Sequence, residues 1–298
     1  MNNIKDIVNR YALCPKSYTI KGDVIVIETE EGRFVFKLNN GKNLGKLYDY
    51  LRSRSFYHFQ PLVNMDERYS IHDYVEEVEM PTEQKALDLM LVLSSLHNKT
   101  TYYQEVTFDD YKKIYEELTE QIKDYYDYYH YLIEEIETKV YMSPAQYLLA
   151  RNINKIYGSL SFCQHELNYW YDLIKDKKKQ RVVILHNNLE IDHLLHDDKM
   201  YLISWDHYQI GMPIYDLYYF YQKHYHELAF YELFKAYESK YPLLEEERKL
   251  LFILLALPGK AAFNNNQFLN CQTVSKRLEY IYKTEKLILD YNTTDKVE

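Results

Sequence analysis

Residues His186–Leu217 read HNNLEIDHLLHDDKMYLISWDHYQIGMPIYDL, and this stretch decides the fold. Two short strands are predicted within it, His193–His196 and Met200–Ser204, because apolar residues there flank the turn Asp197-Asp198-Lys199. The residues just before it, Arg181–Leu185, are mostly apolar and β-branched, which predicts a short buried strand. The stretch is therefore a compact set of strands in a chain whose neighbouring segments are helical.

The N-terminal part of the chain is also rich in predicted strands. Asp23–Thr29 and Arg33–Leu38 alternate between apolar and polar residues on either side of a glycine-containing turn, which predicts a β-hairpin. Gly41–Arg54 has apolar residues at helical spacing, and Tyr69–Val75 predicts a further strand. We therefore predict a small β-rich lobe at residues 1–78 with one helix inserted.

Helical patterns dominate from Pro81 onward. Long amphipathic stretches predict helices at Phe108–Val140 and Ser143–Ile174, and the second begins with an N-cap serine and a first-turn proline. Ile214–Asp290 is helical again, with breaks at its prolines. Residues 79–298 are thus predicted to form a larger helical lobe with an embedded β-hairpin, and the fold class is α+β with two lobes.

The composition disfavours two classes of partner. The 298 residues carry a net charge of -9, whereas nucleic acid and anionic lipid both need a cationic surface. The longest apolar run, Leu250–Leu257, is too short to cross a bilayer, and the N-terminal residues lack the apolar stretch of a secretory signal. Cys14, Cys163 and Cys271 are far apart and odd in number, which favours reduced thiols. We expect a cytoplasmic protein that binds neither nucleic acid nor membrane.

The stretch His186–Leu217 resembles the catalytic segment of the aminoglycoside phosphotransferase and choline kinase-like family. That family's pattern is approximately H-G-D-x-x-x-x-N, a strand, a turn, a strand ending in I-D-[FW], and then G-D-P-x-x-D-L, and the spacing here matches it without a gap. Arg33–Lys37 resembles the strand that carries the family's lysine, and Leu96–Thr100 resembles its L-H-x-x-T helix end. The resemblance implies a two-lobed protein-kinase-like fold for nearly the whole chain.

Three further segments narrow this resemblance. Cys163–Trp170, Pro213–Leu217 and Tyr241–Glu247 are most similar to the spore-coat-associated kinase-like proteins of endospore-forming bacteria. That similarity implies a protein of the spore coat or of sporulation.

The three positions that match the family's catalytic and metal-binding residues have changed in this chain. The catalytic-loop Asp corresponds to Asn188, which lacks the basicity to accept a proton from an attacking hydroxyl group. The magnesium-binding Asn corresponds to His193, whose imidazole suits a hard cation poorly. The strand-ending Asp corresponds to Ser204, a neutral hydroxyl that cannot offset the charge of Mg²⁺. The sequence therefore predicts that none of the catalytic residues is intact.

Lys37 stands where the family has its nucleotide-binding lysine, and it is the candidate nucleotide-binding residue. Its usual partner is a Glu on the following helix, but Gly41–Arg54 contains only Asp49 as an acid. Ser17–Val26 holds a single glycine, Gly22, where a phosphate-binding loop needs several. Two alternatives stay open for Lys37: contact with the α- and β-phosphates of a nucleotide, or an ammonium group in solvent.

Two other residues of the stretch are expected to be structural. His186 is expected to brace the loop from within. Asp216 is expected to anchor the loop through hydrogen bonds to backbone amides. Both tasks can survive the loss of catalysis.

Other acids and histidines do not predict a metal site. Asp206 follows Ser204 by two residues, so on an extended chain it would face the same side at a distance of about 6–7 Å. Asp192 is expected to point away from His193, its neighbour on a predicted strand. Four residues are of types that bind zinc: His186, Asp192, His193 and His196. Their spacing on a loop and one strand would scatter the side chains, so we predict no metal site.

These residues leave three hypotheses for function. The first is a catalytically inactive pseudokinase that acts as a binding or structural protein, with one or more protein partners. The alternative is an active ATP-dependent small-molecule phosphotransferase with a non-standard site that uses Lys37 or Asp206. The third is a protein that holds ATP through Lys37 without the usual magnesium ligands.

Overall fold

A computed structural model of the chain describes residues 2–39 and 41–294. Ten strands and nine helices make up the regular structure of these residues. The strands are β1 Ser17–Lys21, β2 Val24–Glu28, β3 Arg33–Leu38, β4 Leu62–Met65, β5 Tyr69–Asp73, β6 Tyr102–Glu105, β7 Lys179–Leu185, β8 Leu194–His196, β9 Met200–Leu202 and β10 Gln209–Gly211. The helices are α1 Asn2–Tyr11, α2 Leu44–Ser53, α3 Thr82–Thr100, α4 Phe108–Glu137, α5 Pro144–Ile174, α6 Ile214–His224, α7 Phe230–Glu238, α8 Glu245–Ala256 and α9 Gln267–Thr294.

These elements pack as two compact units. The first unit contains the residues up to Thr100 together with His186–Gln209, and the second contains Thr101–Leu185 and the residues from Ile210 on. The division predicted at residue 78 marks where strands give way to helices along the chain. The two units are defined by how compactly residues pack, which is a different criterion, so that division stays a prediction. The α+β class is confirmed, with the antiparallel sheet in the first unit and most helices in the second.

The first unit is built on a five-stranded antiparallel sheet. Its strand order is β1-β2-β3-β5-β4, and the predicted hairpin of β2 and β3 is confirmed with Val26 opposite Val35. The predicted strand at Tyr69–Val75 is confirmed as β5, which ends at Asp73. The edge strands β1 and β4 were not predicted, because no residue of either strand is fully buried and the alternation of burial is correspondingly weak.

The two faces of this sheet differ in chemistry because side chains alternate along each strand. One face carries the core residues Ile25, Ile27, Phe36, Tyr69 and Ile71, which pack against Ile7 of α1. The opposite face carries Lys37, which pairs directly with Ser70 on β5. The candidate lysine is thus on the face that α1 does not cover.

The embedded hairpin of the first unit is shorter than predicted. β8 begins at Leu194 and β9 ends at Leu202, and the two strands pair antiparallel. Ile191–His193 forms a 3₁₀ turn, so the predicted strand position of His193 is wrong. Ser204 has a φ of 66°, in the left-handed region, and the 3₁₀ turn Trp205–His207 follows it. The chain therefore bends sharply at the position where the family pattern has its strand-ending Asp.

The second unit is formed mainly by α4, α5, α8 and α9. The predicted N-terminus of α5 is confirmed: Ser143 caps the helix and Pro144 occupies its first turn. α4 begins in a similar way, with a capping box between Thr107 and Asp110. The predicted breaks at Pro242 and Pro258-Gly259 are confirmed, since each lies between two helices. Within residues 2–39 and 41–294, no helix combines the length and the apolarity that crossing a membrane requires.

Candidate functional site

His186 contacts the residue that directly precedes Ser204. Its side chain is fully buried, and its Nε2 lies 2.7 Å from the carbonyl oxygen of Ile203, to which it donates. Its ring stands edge-on to Trp205 with 5.0 Å between the ring centroids. The bracing role of His186 stays a prediction, and this contact is what supports it.

The loop after His186 contains a residue in a glycine-like conformation. Asn187 has a φ of 58°, and it stands where the family pattern has its Gly. Asn is one of the few residues that adopt this conformation at low cost, because its short polar side chain can bond locally. Position 187 therefore has a backbone conformation that glycine adopts readily, although the residue is Asn.

His193 bonds to the loop itself. Its Nδ1 donates to the backbone carbonyl oxygen of Asn188 at 2.7 Å, and its amide donates to Glu190 at 3.1 Å. One ring nitrogen is therefore used to hold the loop. An imidazole nitrogen is in addition a poor ligand for a hard cation such as Mg²⁺.

Lys37 and Ser204 contact each other directly. The Nζ atom of Lys37 donates to the Oγ atom of Ser204 at 3.1 Å. Burial lowers the pKa of Lys37 below its usual value, and the negative charge of Asp206 opposes this shift in part. Of the two alternatives left open by the sequence, an ammonium group in solvent is thus wrong, because the group is bonded within the first unit.

Asp206 acts on this site through its charge, but not in the predicted geometry. The extended chain assumed for Ser204 to Asp206 is wrong, since Asp206 lies in the 3₁₀ turn that follows the left-handed Ser204. Its carboxylate raises the pKa of both Lys37 and His72, against the larger effect of burial. Asp206 is the acid whose charge offsets that of Lys37.

The helix α2 presents an aromatic ring to this site instead of a carboxylate. Tyr48 is buried and stacks on Phe59 with 4.4 Å between the ring centroids. The pKa of Tyr48 is raised by burial and, to a lesser extent, by Asp206. Asp49, the acid considered as a partner for Lys37, is instead exposed and accepts from Arg52 at 2.9 Å. Tyr48 therefore faces the site, and its ring centroid lies 6.4 Å from that of His72.

His72 is a second buried basic group on the same face of the sheet as Lys37. Its Nε2 lies 3.2 Å from the Oγ atom of Ser70, and Ser70 pairs with Lys37 across the two strands. Burial and, to a lesser extent, the charge of Lys37 lower the pKa of His72 to about 4, while Asp206 opposes both effects. His72 is therefore neutral at pH 7, which avoids a second buried positive charge.

Lys42 closes the site from the loop before α2. Its Nζ atom donates to the backbone carbonyl oxygen of Tyr208 at 2.5 Å and lies 4.8 Å from the centre of the Tyr208 ring. Lys42, Tyr48 and His72 were not among the site residues predicted from the sequence. Of these, His72 could have been found, because period-2 alternation along the predicted strand Tyr69–Val75 places it on one face with Ser70.

The four residues of zinc-binding type do not come together as ligands. Asp192 lies in the 3₁₀ turn with His193, so its predicted strand orientation is wrong, and its side chain is 98% exposed and 4.0 Å from Lys85. His196 bonds to Asp88 of α3 at 3.0 Å. In the part of the chain that the structure describes, no three His, Cys, Asp or Glu side chains are grouped so that they could hold a metal ion.

Asp216 lies in the second unit, in the first turn of α6. It is buried, with 1% of its surface exposed. A buried carboxylate needs hydrogen-bond donors around it. Its predicted task of anchoring the loop through backbone amides stays a prediction.

The chemistry of the site follows from these groups. A phosphoryl transfer needs a base for the acceptor and acidic or amide oxygens for magnesium. Asn188 supplies no base, and the side chains at positions 193 and 204 are an imidazole and a hydroxyl. Around Lys37 the structure thus brings together a buried ammonium group, the hydroxyl of Ser204 and the charge of Asp206.

Comparisons with known proteins identify the fold. Neither a protein-family model nor a curated protein matches the chain. Among solved structures, an aminoglycoside phosphotransferase from Alicyclobacillus acidocaldarius is similar with a TM-score of 0.66 and 11% identity, over 97% of this chain and 96% of that one. An AMP-bound complex of a spectinomycin phosphotransferase is similar with a TM-score of 0.56 and 12% identity, over 95% and 97%. The chain has the fold of the aminoglycoside phosphotransferases.

Proposed function

We propose that this chain is a pseudokinase, a kinase-fold protein without phosphotransferase activity. The observation that carries the proposal is the hydrogen bond of 3.1 Å between Lys37 and Ser204. In a kinase site the residue at position 204 would be a carboxylate that binds magnesium. Here it is a hydroxyl that serves as acceptor for the lysine, and Asn188 provides no base.

The proposed protein acts by binding. Its frame is kept around the altered centre, since His186 holds Ile203 and Asn187 keeps the turn of the loop. A frame that survives the loss of its catalytic groups is what a binding or structural role requires. The similarity of Cys163–Trp170 and Tyr241–Glu247 to spore-coat-associated kinase-like proteins supports a place in the spore coat or in sporulation, with a protein partner in the cytoplasm of the developing cell.

A gain-of-function experiment tests the loss of catalysis. The triple variant Asn188→Asp, His193→Asn, Ser204→Asp restores the family's base and magnesium ligands in one step. We expect the wild type to show no rise in melting temperature with millimolar Mg-ATP, and the triple variant to show a rise that EDTA removes. Asn188→Asp alone is the matched control, because it restores the base without the metal ligands and should behave like the wild type.

Phosphotransfer by the wild type would contradict the proposal. The assay follows the transfer of labelled phosphate from ATP to a panel of aminoglycosides and small amino alcohols. Metal-dependent turnover that Ser204→Ala abolishes would establish an active enzyme with a non-standard site. Equal thermal stabilisation by ATP in magnesium and in EDTA, lost in Lys37→Met, would instead establish metal-free nucleotide binding.

The sporulation role has its own test. A fluorescent fusion of the chain is followed through sporulation in the organism that encodes it. We expect expression in the developing spore and a ring of fluorescence at its surface. Diffuse fluorescence in growing cells with no change during sporulation would remove this part of the proposal and leave the pseudokinase assignment untouched.

A further inference from the structure

Strand β1 forms one edge of the five-stranded sheet. It pairs with β2, from Ser17 opposite Glu28 to Lys21 opposite Val24, and all five of its residues are exposed. In the described part of the chain, the other side of β1 has no strand partner. An open edge of this kind offers backbone donors and acceptors to a further strand.

The apolar core of the sheet continues out to this edge. On the face that α1 covers, Tyr18 lies opposite Ile27 and Ile20 lies opposite Ile25. Ile25 and Ile27 are buried, whereas Tyr18 and Ile20 are 54% and 53% exposed. The rows of apolar side chains on this face therefore end in two half-exposed residues at the edge of the sheet.

The sequence of β1 is complementary to itself in an antiparallel pairing centred on Thr19. In that register Thr19 lies opposite Thr19 of a second copy, and Tyr18 lies opposite the second copy's Ile20. Both apolar contacts then fall on the face where Tyr18 and Ile20 are exposed. An aromatic residue opposite a β-branched one is among the favourable cross-strand pairs.

The charges near the edge also match in this register. Lys21 of one copy lies opposite Ser17 of the other, and the Ser17 hydroxyl donates to the Glu28 carboxylate at 2.7 Å. Two strand spacings, about 10 Å, separate the backbones of Lys21 and the second copy's Glu28, a gap that extended Lys and Glu side chains bridge together. Lysine on an edge strand normally discourages pairing, but here each lysine would meet a carboxylate.

We propose that β1 is a dimerisation strand through which two copies of this chain pair antiparallel about a two-fold axis at Thr19. The two five-stranded sheets then form one continuous sheet, and the closed two-fold symmetry prevents growth into a fibre. The proposal rests on the open edge of the sheet and on the side chains of β1 and β2, and it is independent of the proposed function.

The mass of the intact chain in solution is the first test. Size-exclusion chromatography with light scattering should give the mass of two chains for the wild type and of one chain for Ile20→Lys. The matched control is Val63→Lys on β4, the opposite edge strand, where Val63 is 51% exposed; this variant should remain a dimer. Circular dichroism verifies that both variants are folded.

Two results of this experiment would overturn the proposal. A wild-type chain that stays monomeric up to its highest soluble concentration excludes the dimer. A dimer that Ile20→Lys and Val63→Lys leave equally intact is formed through another surface.

Cross-linking tests the register independently of any disruptive substitution. Cys14 is exposed, so it is first replaced by Ser, and Thr19→Cys is then added. A short bis-maleimide should join this variant into a covalent dimer, because the two introduced thiols lie opposite each other. Cys14→Ser alone and Cys14→Ser with Val63→Cys should stay at the mass of one chain. Failure of the Thr19→Cys variant to cross-link would show that the register is wrong.

A charge exchange tests the remaining contact. Lys21→Glu should weaken the dimer, since two carboxylates then face each other, and adding Glu28→Lys should restore it. No difference between the single and the double variant would remove the Lys21–Glu28 contact from the interface.

Discussion

Two buried cations, one in each unit, are neutralised in different ways. In the second unit, Arg181 on β7 donates through Nε to Glu247 at 2.9 Å, and a second guanidinium nitrogen donates to the other oxygen of the same carboxylate. In the first unit, Lys37 on β3 donates to the neutral hydroxyl of Ser204 at 3.1 Å. One cation has a carboxylate in contact, and the other has a hydroxyl.

The pKa values of the two groups record this difference. Burial alone would lower the pKa of Arg181, but the hydrogen bonds and the charge of Glu247 outweigh it and raise the pKa. For Lys37 burial prevails, because Asp206 acts only through space, and the pKa is lowered. A carboxylate in contact thus keeps Arg181 fully charged, whereas the more distant charge of Asp206 offsets the burial of Lys37 only in part.

The largest effect is expected where the ion pair is matched. Glu247→Gln keeps the size of the side chain and its capping of Leu244, to which Glu247 bonds at 3.0 Å, but leaves Arg181 without its counter-charge. Breaking a buried pair by removing one partner costs about 3–5 kcal/mol. Urea unfolding should therefore show a fall of about that size in the free energy of unfolding.

The neighbouring Glu246 provides a matched control. It pairs with Lys177, whose side chain is 42% exposed, and ion pairs at such positions contribute about 0–1 kcal/mol because solvent screens them. Glu246→Gln should thus have little effect. Equal losses in the two variants would mean that Arg181 is not neutralised by Glu247 in the way described.

The sequence predicted several elements of the fold, but not the contacts that neutralise the two cations. The central hairpin, α2 and the first turn of α5 follow from local patterns, namely period-2 and period-3.6 spacing and capping residues. The correspondence of Ser204 to a strand-ending Asp rests on the resemblance to the family pattern. The contact between Lys37 and Ser204 could not be predicted, because it joins residues 167 positions apart and depends on the left-handed bend at Ser204.

The Arg181–Glu247 pair and strand β1 could not be predicted from local sequence patterns either. Arg181 and Glu247 are 66 positions apart, and nothing in either local sequence indicates that they form a pair. The strand β1 was missed because its side chains are exposed, and exposed strands have no buried residues to reveal their period. Sequence patterns report burial along one element, whereas both cation sites are made by contacts between elements.

An effect of intermediate size on stability is expected from the protonation of His72, the neutral histidine beside Lys37. The pKa of His72 is lowered to about 4 from an ordinary value of 6.5, so between these values the unfolded chain binds a proton that the folded chain does not. Stability should therefore rise with pH from 4 to 6.5 and be lost as the pH falls through this window. The total is about 3 kcal/mol, since each unit of pKa corresponds to about 1.4 kcal/mol.

The variant His72→Gln isolates this contribution. The free energy of unfolding of the variant, measured by urea unfolding at several pH values, should rise less steeply between pH 4 and 6.5 than that of the wild type. Groups that titrate in both proteins cancel when one curve is subtracted from the other. His207→Gln is the control, because it replaces an exposed histidine of the same unit. Parallel pH profiles for His72→Gln and the wild type would show that His72 is not held neutral by its surroundings.

The smallest effect on stability is expected when Lys37 receives a carboxylate in contact, as Arg181 has. Ser204→Asp places a carboxylate where the hydroxyl accepts from Lys37, and Asp is one of the residues that tolerate the left-handed conformation at this position. We expect about 1 kcal/mol of added stability and a pKa of Lys37 that moves back up, because a charged acceptor holds an ammonium group more strongly than a neutral one.

Ser204→Ala should change both quantities in the opposite direction, by about 1 kcal/mol in stability, since the ammonium group then loses its acceptor. Both variants are measured in EDTA, so that no metal ion can occupy the new carboxylate, with urea unfolding for stability and the ¹³Cε shift of Lys37 against pH for its pKa. If Asp destabilises the chain as much as Ala does, the charge of Lys37 is already balanced by Asp206. The two cations would then differ in how close their counter-charge lies, and not in whether they have one.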